Sequence, residues 1–368
     1  MNRADVVIAG GGVVGCAIAL ALAREGHDVA LLERDAVGAH ASRVAAGMLT
    51  PFEAAAVPLG RESLAAFPDQ VAELRERTGI DPGLVVSGVL RVARDADQAA
   101  ALRARAAAGA CDGLEWLDAA AARAREPALA PAIEGALWSP REGSVGAERL
   151  TAACAQAARA LGARIEEGTP VTALRRDGER VVGVRTPRGD WSADRVVLAT
   201  GAWAGAGAGA LGLAVRPPVE PVRGQIVALR PERPLLRAIA WDADVYLVPR
   251  PDGRVLAGAT EEAAGFACHT TEAGVRGLVA AAAALVPALA GAPLDAAAAG
   301  LRPGSPDGLP LIGPAPGAPG LLLAVGHHRH GILLALTTGR LVADWIAGRP
   351  LLPAAAAFAP ARFAASGA

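Results

Sequence analysis

Short apolar runs separated by glycine-rich turns predict a parallel β-sheet at the start of the chain. Residues 5–9 form a β-branched run, an Ala- and Leu-rich segment extends to Arg24, and residues 28–32 form a second apolar run. Continuous apolar runs of this length are typical of parallel strands that are buried on both faces. The pattern therefore predicts strand, helix and strand in succession, the repeating unit of a doubly wound α/β sheet.

The same patterns recur further along the chain. Residues 195–199 and 321–325 again read as buried strands, and the second of these is followed by a helical pattern to Ile346. Helical periodicity with charged outer faces predicts helices over residues 69–79 and 95–110. Strands in a row with helices between them indicate that one lobe has a Rossmann-type α/β fold.

The middle of the chain has a different pattern. Between residues 217 and 259 apolar and polar positions alternate, and Asp252-Gly253 marks a hairpin turn, which predicts antiparallel strands. We therefore predict an α/β protein with a Rossmann-type lobe and a second lobe built on an antiparallel or mixed β-sheet plus helices. The predicted boundaries are 1–80, 145–215 and 300–368 for the first lobe and 81–144 and 216–299 for the second.

Three glycines between the first strand and the first helix form the motif Gly10-x-Gly12-x-x-Gly15. In such a motif the first glycine permits a tight turn, the second lets the backbone approach a pyrophosphate, and the third lets the helix pack on the strand. Glu33 lies 18 residues beyond Gly15 at the end of the second strand, where a carboxylate can bind ribose hydroxyls. The motif predicts a dinucleotide site, and the carboxylate favours FAD or NAD over NADP.

Composition excludes several classes of protein. All 36 basic residues among the 368 are arginine, so no lysine can form a Schiff base with pyridoxal phosphate or serve in a P-loop. The formal net charge of -1 argues against nucleic acid as a partner. Three consecutive glycines interrupt the apolar stretch 6–23, so we expect no membrane-spanning helix.

Cysteine and histidine positions point to a reduced protein without a metal. The chain has four scattered cysteines, which are Cys16, Cys111, Cys154 and Cys268. They form no CxxC pair, and we therefore expect free thiols and a cytoplasmic location. His327, His328 and His330 lie close together in sequence, but no carboxylate or cysteine completes a local ligand set, so we predict no metal site.

Several motifs together resemble the D-amino acid oxidase superfamily of FAD enzymes, and the resemblance covers essentially the whole chain. Within that superfamily the chain is similar to the branch that oxidises glycine in bacterial thiamine biosynthesis. The motifs are Gly10-Gly-Gly12-x-x-Gly15, Ala45-Ala-Gly47-Met48, Thr200-Gly201-Ala202-Trp203, Pro221-Val-Arg-Gly-Gln225, Val245-Tyr246-Leu-Val-Pro249, Gly258-Ala-Thr-Glu261, Gly300-Leu-Arg302-Pro-Gly-Ser-Pro-Asp-Gly308 and Gly326-His-x-Arg329-x-Gly-Ile-Leu-Leu334.

The resemblance implies that the Rossmann-type lobe binds FAD. Superfamily members that tether FAD covalently use a C-terminal cysteine, and no cysteine follows Cys268, so we expect non-covalent binding. Superfamily members often have Ser or Thr where this chain has Arg43, and an arginine there could instead pair with a phosphate. The implied cofactor residues are Gly10, Gly12, Val13, Val14, Gly15, Glu33, Arg34, Ser42, Arg43, Ala46, Gly47, Met48, Val171, Thr200, Gly201, Trp203, His327, His328, Arg329, His330, Gly331, Ile332 and Leu333.

The second lobe is implied to bind the substrate, with Tyr246 and Arg302 as catalytic residues. A guanidinium fork fixes a carboxylate with two parallel hydrogen bonds, and Arg302 matches that position in the superfamily. The Tyr246 hydroxyl would bind the same carboxylate, while Arg329 and Met48 would lie beside the substrate. The helix that follows Gly326 would direct its N-terminal N–H groups at the reduced flavin.

The implied reaction is oxidative deamination of glycine or another small amine such as sarcosine or D-alanine. A hydride would pass from Cα to flavin N5, which leaves an imine that hydrolyses to glyoxylate and ammonia, and O2 would reoxidise the flavin to give hydrogen peroxide. The imine would also feed thiazole formation, with thiazole synthase as a partner. The resemblance further implies a homotetramer.

Other functions stay open at this point. A sarcosine oxidase-like enzyme and a quinone-linked D-amino acid dehydrogenase share the superfamily motifs. A flavin-binding subunit or RNA-modification module without amine oxidation is an alternative from a different class, although the charge balance disfavours nucleic acid. An NAD-dependent dehydrogenase is disfavoured because FAD fully explains the one Gly-x-Gly-x-x-Gly turn and no second such turn appears.

Overall fold

The computed structural model describes residues 2–51, 57–108, 113–213 and 215–366. The strands are β1 (Asn2–Ala9), β2 (Val29–Leu32), β3 (Met48–Leu49), β4 (Val89–Ala93), β5 (Glu115–Asp118), β6 (Gly135–Ser139), β7 (Gly143–Ser144), β8 (Arg164–Glu166), β9 (Ala173–Asp177), β10 (Arg180–Arg185), β11 (Trp191–Leu198), β12 (Glu220–Leu229), β13 (Ile239–Trp241), β14 (Tyr246–Pro249), β15 (Val255–Gly258), β16 (Leu294–Gly304), β17 (Leu311–Pro314) and β18 (Leu321–Val325). The α-helices are α1 (Val13–Arg24), α2 (Ala41–Val44), α3 (Val57–Thr78), α4 (Ala96–Ala107), α5 (Ala119–Arg125), α6 (Ala147–Ala160), α7 (Glu272–Leu285) and α8 (Gly331–Ile346).

The first sheet contains the predicted parallel strands. Strands β8, β2, β1, β11 and β18 lie side by side in that order and run parallel, and β17 pairs antiparallel with β18 at the edge. Helices α1, α6 and α8 bury their apolar residues with one face of this sheet, in a cluster that includes Ile8, Ile18 and Leu334. A second cluster, which includes Val7 and Val196, covers the other face. Burial on both faces explains the continuous apolar runs in β1, β2, β11 and β18.

The second sheet has the order β16-β12-β15-β14-β13-β4-β6-β5. Its neighbouring strands are antiparallel except for the parallel pair β13 and β4. Apolar residues of α7, including Leu278 and Leu285, pack with β12, β14 and β15 in one buried cluster. The predicted α/β fold class, with one Rossmann-type lobe and one mixed sheet with helices, is confirmed.

Several elements differ from the sequence prediction. Strand β11 is continuous from Trp191 to Leu198, whereas the sequence predicted a buried strand over residues 195–199 only. Helix α3 continues through Pro68, so the predicted helix over 69–79 is only its C-terminal half. The predicted lobe boundary between 299 and 300 lies within β16, and the division of the chain into lobes stays a prediction.

The described cysteines are free thiols. Cys16 and Cys154 are buried and Cys268 is exposed, while Cys111 lies outside the described residues. Burial raises the pKa of the Cys154 thiol to about 12 and that of Cys16 well above its usual range. The two buried thiols are therefore protonated at neutral pH and contribute to packing.

In the described part of the chain, no helix is both long enough and apolar enough to cross a membrane.

Candidate active site

A cavity of about 680 Å³ lies where the two sheets meet, and its wall includes residues that follow β1, β2 and β11 of the first sheet. Strands β12, β14 and β16 of the second sheet also line it, as do the segment around α2 and the turn that opens α8. Ligands of open α/β sheets bind outside the carboxyl ends of the strands. Most of the residues that the sequence assigns to cofactor and substrate lie on this one surface. They are Gly10, Gly12, Val13, Val14, Glu33, Arg34, Ser42, Ala46, Gly47, Met48, Val171, Thr200, Gly201, Trp203, Tyr246, Arg302, His327, His328, Arg329, Gly331 and Ile332.

The Gly-rich turn is shaped by close backbone approaches. Gly10 has φ +111, and a Cβ there would lie 2.4 Å from the carbonyl oxygen of Ala199 on the adjacent strand end. A Cβ on Gly15 would lie 1.9 Å from the carbonyl oxygen of Gly10. Gly15 is not among the residues that line the cavity. It allows α1 to pack against the turn, and this contact brings the helix N-terminus to the cavity wall.

Glu33 lies at the end of β2 and is buried, with 6% of its surface exposed. One carboxylate oxygen accepts a hydrogen bond from the N–H of Gly11, and the other accepts one from the N–H of Asp35 at 2.9 Å. Each carboxylate oxygen has two lone-pair sites, so the group retains acceptor capacity on the side that lines the cavity.

Ser42 and Arg43 are neighbours in α2 with opposite orientations. The hydroxyl oxygen of Ser42 accepts a hydrogen bond from the N–H of Val13 at 3.0 Å, so it contacts the first residue of α1. The Arg43 side chain is 68% exposed and lies 4.0 Å from Glu148. The structure does not bring Arg43 to the cavity, because the helical turn directs adjacent side chains to different faces.

A group of aromatic and charged side chains lines one end of the cavity. The Arg34 guanidinium carbon lies 3.8 Å from the ring centroid of Trp203, a cation–π contact. Arg34 also lies 3.0 Å from Asp35, which in turn contacts His40 at 2.8 Å. The hydrogen bond from His40 is the largest influence that lowers the pKa of the Asp35 carboxyl.

These residues fit FAD. Helix α1 begins at Val13 and has no acidic residue in its first turn, so its N-terminus favours an anion such as a pyrophosphate. The Thr200 hydroxyl is buried and has no hydrogen-bond partner among the described residues, and Thr200 lines the cavity. Buried polar groups are normally hydrogen-bonded, so this hydroxyl is suited to a ligand. The cavity volume also lies in the range of cofactor pockets.

Arg302 and Tyr246 lie together on the second sheet. Arg302 on β16 donates a hydrogen bond from Nη1 to the carbonyl oxygen of Thr260 at 3.0 Å. A Cβ on Gly224 would lie 2.4 Å from Arg302 Nη1, and one on Gly258 would lie 2.6 Å from the Tyr246 hydroxyl. Two glycines therefore make room for the guanidinium and the phenol, and sequence reasoning missed this role of both.

The Tyr246 phenol is protonated at neutral pH. Burial raises its pKa above the usual value, while the nearby Arg302 and Arg329 partly oppose that effect. Trp241 packs edge-on against the phenol with ring centroids 6.1 Å apart. A protonated phenol beside a guanidinium provides hydrogen-bond donors and positive charge, which together suit a carboxylate.

Glu261 is a further charged residue at this end of the site. It pairs with Arg329, and its Oε1 lies 3.0 Å from Nε2 of His328. Burial alone would raise the pKa of the Glu261 carboxyl, but Arg329 and His328 lower it overall. The sequence motif contains Glu261, but its partners come from a distant turn, so no local pattern indicates the pairing.

The three C-terminal histidines do not converge. His327 is buried and its Nε2 lies 3.1 Å from the Thr338 hydroxyl, and burial lowers its pKa to about 3. His328 contacts Glu261, and His330 is buried. His330 and Leu333 do not line the cavity, and Leu333 packs in the apolar cluster on one face of the first sheet. Their implied contact with the cofactor stays a prediction.

Within the described ranges, one group of three potential metal ligands lies close together: Glu33, Asp35 and His40. Both oxygens of Glu33 accept backbone hydrogen bonds, and the Arg34 guanidinium lies 3.2 Å from the same nitrogen of His40 that contacts Asp35. A cation beside these ligand atoms disfavours a metal ion there. The absence of a metal stays a prediction.

The chain is similar to a family of flavoenzymes, to curated relatives in that family and to a solved crystal structure. The FAD dependent oxidoreductase (DAO) family matches residues 5–345. The chain is 40% identical to the glycine oxidase of Geobacillus kaustophilus (strain HTA426) over 94% of this chain and 93% of the relative. The crystal structure of glycine oxidase from Geobacillus kaustophilus superposes with a TM-score of 0.93 at 39% identity, covering 98% of this chain and 99% of that chain.

A relative from Synechocystis sp. (strain ATCC 27184 / PCC 6803 / Kazusa) is named bifunctional protein ThiO/ThiG and is 36% identical over 98% of this chain. This chain covers 54% of that relative, so it matches about half of a longer protein.

Proposed function

Because this chain belongs to the DAO family of FAD-dependent oxidoreductases, we propose that it oxidises the amine of glycine. The expected resemblance to the D-amino acid oxidase superfamily is thereby confirmed. The observation that carries the proposal is the pair formed by the Arg302 guanidinium and the protonated Tyr246 phenol on the cavity wall. The pair suits a single carboxylate, the group that all α-amino acids share.

FAD would be held by the residues that follow β1, β2 and β11. The Gly10 to Val14 turn would face the pyrophosphate, Glu33 would accept hydrogen bonds from the ribose, and Thr200 would use its buried hydroxyl. When bound, FAD supplies the two-electron acceptor that converts the amine to an imine, and dioxygen takes the electrons to form hydrogen peroxide.

The protein's own residues position the substrate. Arg302 and Tyr246 would bind the carboxylate, and this orients Cα toward the cofactor. Arg329 and Met48 also line the cavity, and we propose that their side chains lie beside the substrate. The imidazole of His327 is neutral at neutral pH because burial lowers its pKa to about 3. It therefore adds no positive charge beside the amine.

Reduction of the flavin by substrate tests this proposal directly. The purified protein is mixed anaerobically with glycine, and the visible flavin absorbance is followed before and after air is admitted. We expect bleaching with glycine, recovery in air, and formation of glyoxylate, ammonia and hydrogen peroxide. No bleaching with glycine, sarcosine or D-alanine would contradict amine oxidation. Faster bleaching with sarcosine than with glycine would instead favour a sarcosine oxidase-like enzyme.

We further propose that the imine passes to thiazole synthase and so contributes to thiamine biosynthesis. The relative named ThiO/ThiG supports this, because a single chain there joins two activities. Thiazole formation from glycine by this protein together with thiazole synthase tests the partnership, and formation from added glyoxylate at the same rate would contradict direct transfer.

A cytoplasmic location and a homotetramer are also part of the proposal. Free thiols in the described residues are consistent with a reducing compartment. Sedimentation equilibrium measures the assembly, and a monomer at all concentrations would contradict the tetramer.

A further inference from the structure

The charged side chains around Glu261 determine the net charge at the end of the cavity where Arg302 and Tyr246 lie. Glu261 follows β15, and Arg329 lies 68 residues further on, in the turn that opens α8. One oxygen of the Glu261 carboxylate accepts a hydrogen bond from Arg329, and the other lies 3.0 Å from His328. Both partners line the cavity. Glu261 therefore connects the second sheet to the helix turn at the cavity wall.

Arg302 and Arg329 act on the same region. Both guanidinium charges lower the pKa of the Tyr246 phenol, and both lower the pKa of Glu261. Without Glu261, two cations would face the end of the cavity where the substrate carboxylate is expected. Arg302 and Arg329 are cations, Glu261 is an anion and His328 is neutral. These four side chains together therefore carry a net charge of one positive unit.

The His328 charge state follows from its surroundings. Burial lowers the pKa of His328 below its usual value, and the opposing effect of Glu261 is smaller. The imidazole is therefore neutral at neutral pH and fills its place beside Glu261 as a hydrogen-bonding group.

We propose that Glu261 is a specificity-determining residue that restricts the substrate to amino acids with a single anionic group. It does so by neutralising Arg329, so that only Arg302 is left to pair with a carboxylate. A substrate with a second carboxylate would meet no free cation and would lie near the Glu261 charge, which costs binding free energy. The statement that the oxidised group is an amine rests on the proposed function. The preference for ligands with a single anionic group does not depend on it.

Asp244 strengthens the same preference. It is exposed on the turn between β13 and β14 and also lines the cavity. A second carboxylate in the cavity would therefore approach another negative side chain.

Binding of simple anions to the holoenzyme tests the inference without turnover. Acetate and malonate are titrated against the wild type and Glu261→Gln, and the perturbed flavin spectrum reports each dissociation constant. Glutamine keeps a hydrogen-bond acceptor for Arg329 but removes the charge. We expect malonate to bind about fivefold more tightly to the variant, as for a partly exposed ion pair, with a much smaller change for acetate.

Two control variants identify the cause of that change. Glu220→Gln removes an equal charge from an exposed pair with Arg216 outside the cavity lining, and should leave the malonate-to-acetate ratio as in the wild type. The double variant Glu261→Gln, Arg329→Gln should lose the gain in malonate binding. An unchanged ratio in Glu261→Gln, or a gain that survives in the double variant, would overturn the inference.

Turnover provides a second readout with matched amino acids. D-Aspartate and D-alanine differ by one carboxylate. The kcat/KM for D-aspartate divided by that for D-alanine should rise about fivefold in Glu261→Gln. If neither is oxidised but malonate binding tightens as expected, the proposed amine oxidation fails while the charge preference stands. A parallel fall for both substrates would show that Glu261 only supports the fold.

Discussion

Arg302 donates a hydrogen bond from Nη1 to the carbonyl oxygen of Thr260 at 3.0 Å. This bond joins β16 to the segment after β15. The Thr260 hydroxyl in turn donates to Glu262, which also accepts from Gln225 and Arg223. The orientation of the proposed carboxylate-binding arginine is therefore fixed by a polar network behind it, and not by its own strand alone.

Substitution of Arg302 by lysine should reduce kcat/KM for glycine by about 10- to 100-fold, the loss expected for a charged hydrogen bond. A lysine ammonium cannot form the guanidinium fork and cannot reach both carboxylate oxygens in the same way. Steady-state kinetics and flavin content measure the two effects. Flavin content should stay unchanged, and a variant that loses FAD but keeps its substrate affinity would contradict the assignment.

Substitution of Gly15 by alanine should lower the free energy of unfolding by about 1–3 kcal/mol and reduce bound flavin. The added Cβ would lie 1.9 Å from the carbonyl oxygen of Gly10, so the first turn of α1 must move. Urea unfolding and flavin absorbance measure both effects.

Gly277→Ala is the matched control, because Gly277 also lies within a helix and has nothing within 4 Å of an added Cβ. We expect it to stabilise the protein by up to about 1 kcal/mol, the difference in helix propensity. Equal destabilisation by both substitutions would refute the steric explanation for Gly15.

Ser42 and Arg43 should differ in their effect on cofactor retention. Ser42→Ala removes the acceptor for the Val13 N–H. It should lower the free energy of unfolding by about 1 kcal/mol, as for a lost helix cap, and should weaken FAD binding. Arg43→Ala should leave the FAD dissociation constant within about twofold, because the exposed guanidinium lies outside the cavity. Fluorescence titration of apoprotein with FAD measures both constants, and weaker binding in Arg43→Ala alone would contradict the structure.

Glu262 should make the stability of the protein depend on pH. Hydrogen bonds from Arg223, Thr260 and Gln225 lower the pKa of its carboxyl to about 2 in the folded protein, from a usual value of 4.5. A carboxyl with a lowered folded pKa contributes stability above its unfolded pKa, and that contribution is lost as the pH falls toward the folded pKa.

The difference in melting temperature between the wild type and Glu262→Gln should therefore be largest above about pH 5 and shrink as the pH falls below about pH 4. Thermal unfolding across this range measures it, with Glu220→Gln as an exposed control. A difference that is constant with pH would show that the Glu262 charge does not contribute.

Local patterns in the sequence were sufficient for the first sheet and its dinucleotide turn. The run of β-branched residues before Gly10, the glycine spacing and the position of Glu33 all depend on short-range stereochemistry. Such constraints act within a few residues, so a single sequence displays them directly. The alternation after residue 217 likewise indicated a second, antiparallel sheet.

Only the tertiary structure decided how the distant parts combine. The alanine-rich β16 has helix-forming residues, yet it is a strand because its backbone pairs along β12. The outward direction of Arg43 depends on how α2 docks, and the pairing of Glu261 with Arg329 joins residues 68 positions apart. Contacts between side chains of different elements depend on how the elements pack, so a local sequence pattern does not predict them. The sequence thus determined the residue types that the site contains, while packing determined their partners and the charge that a substrate meets.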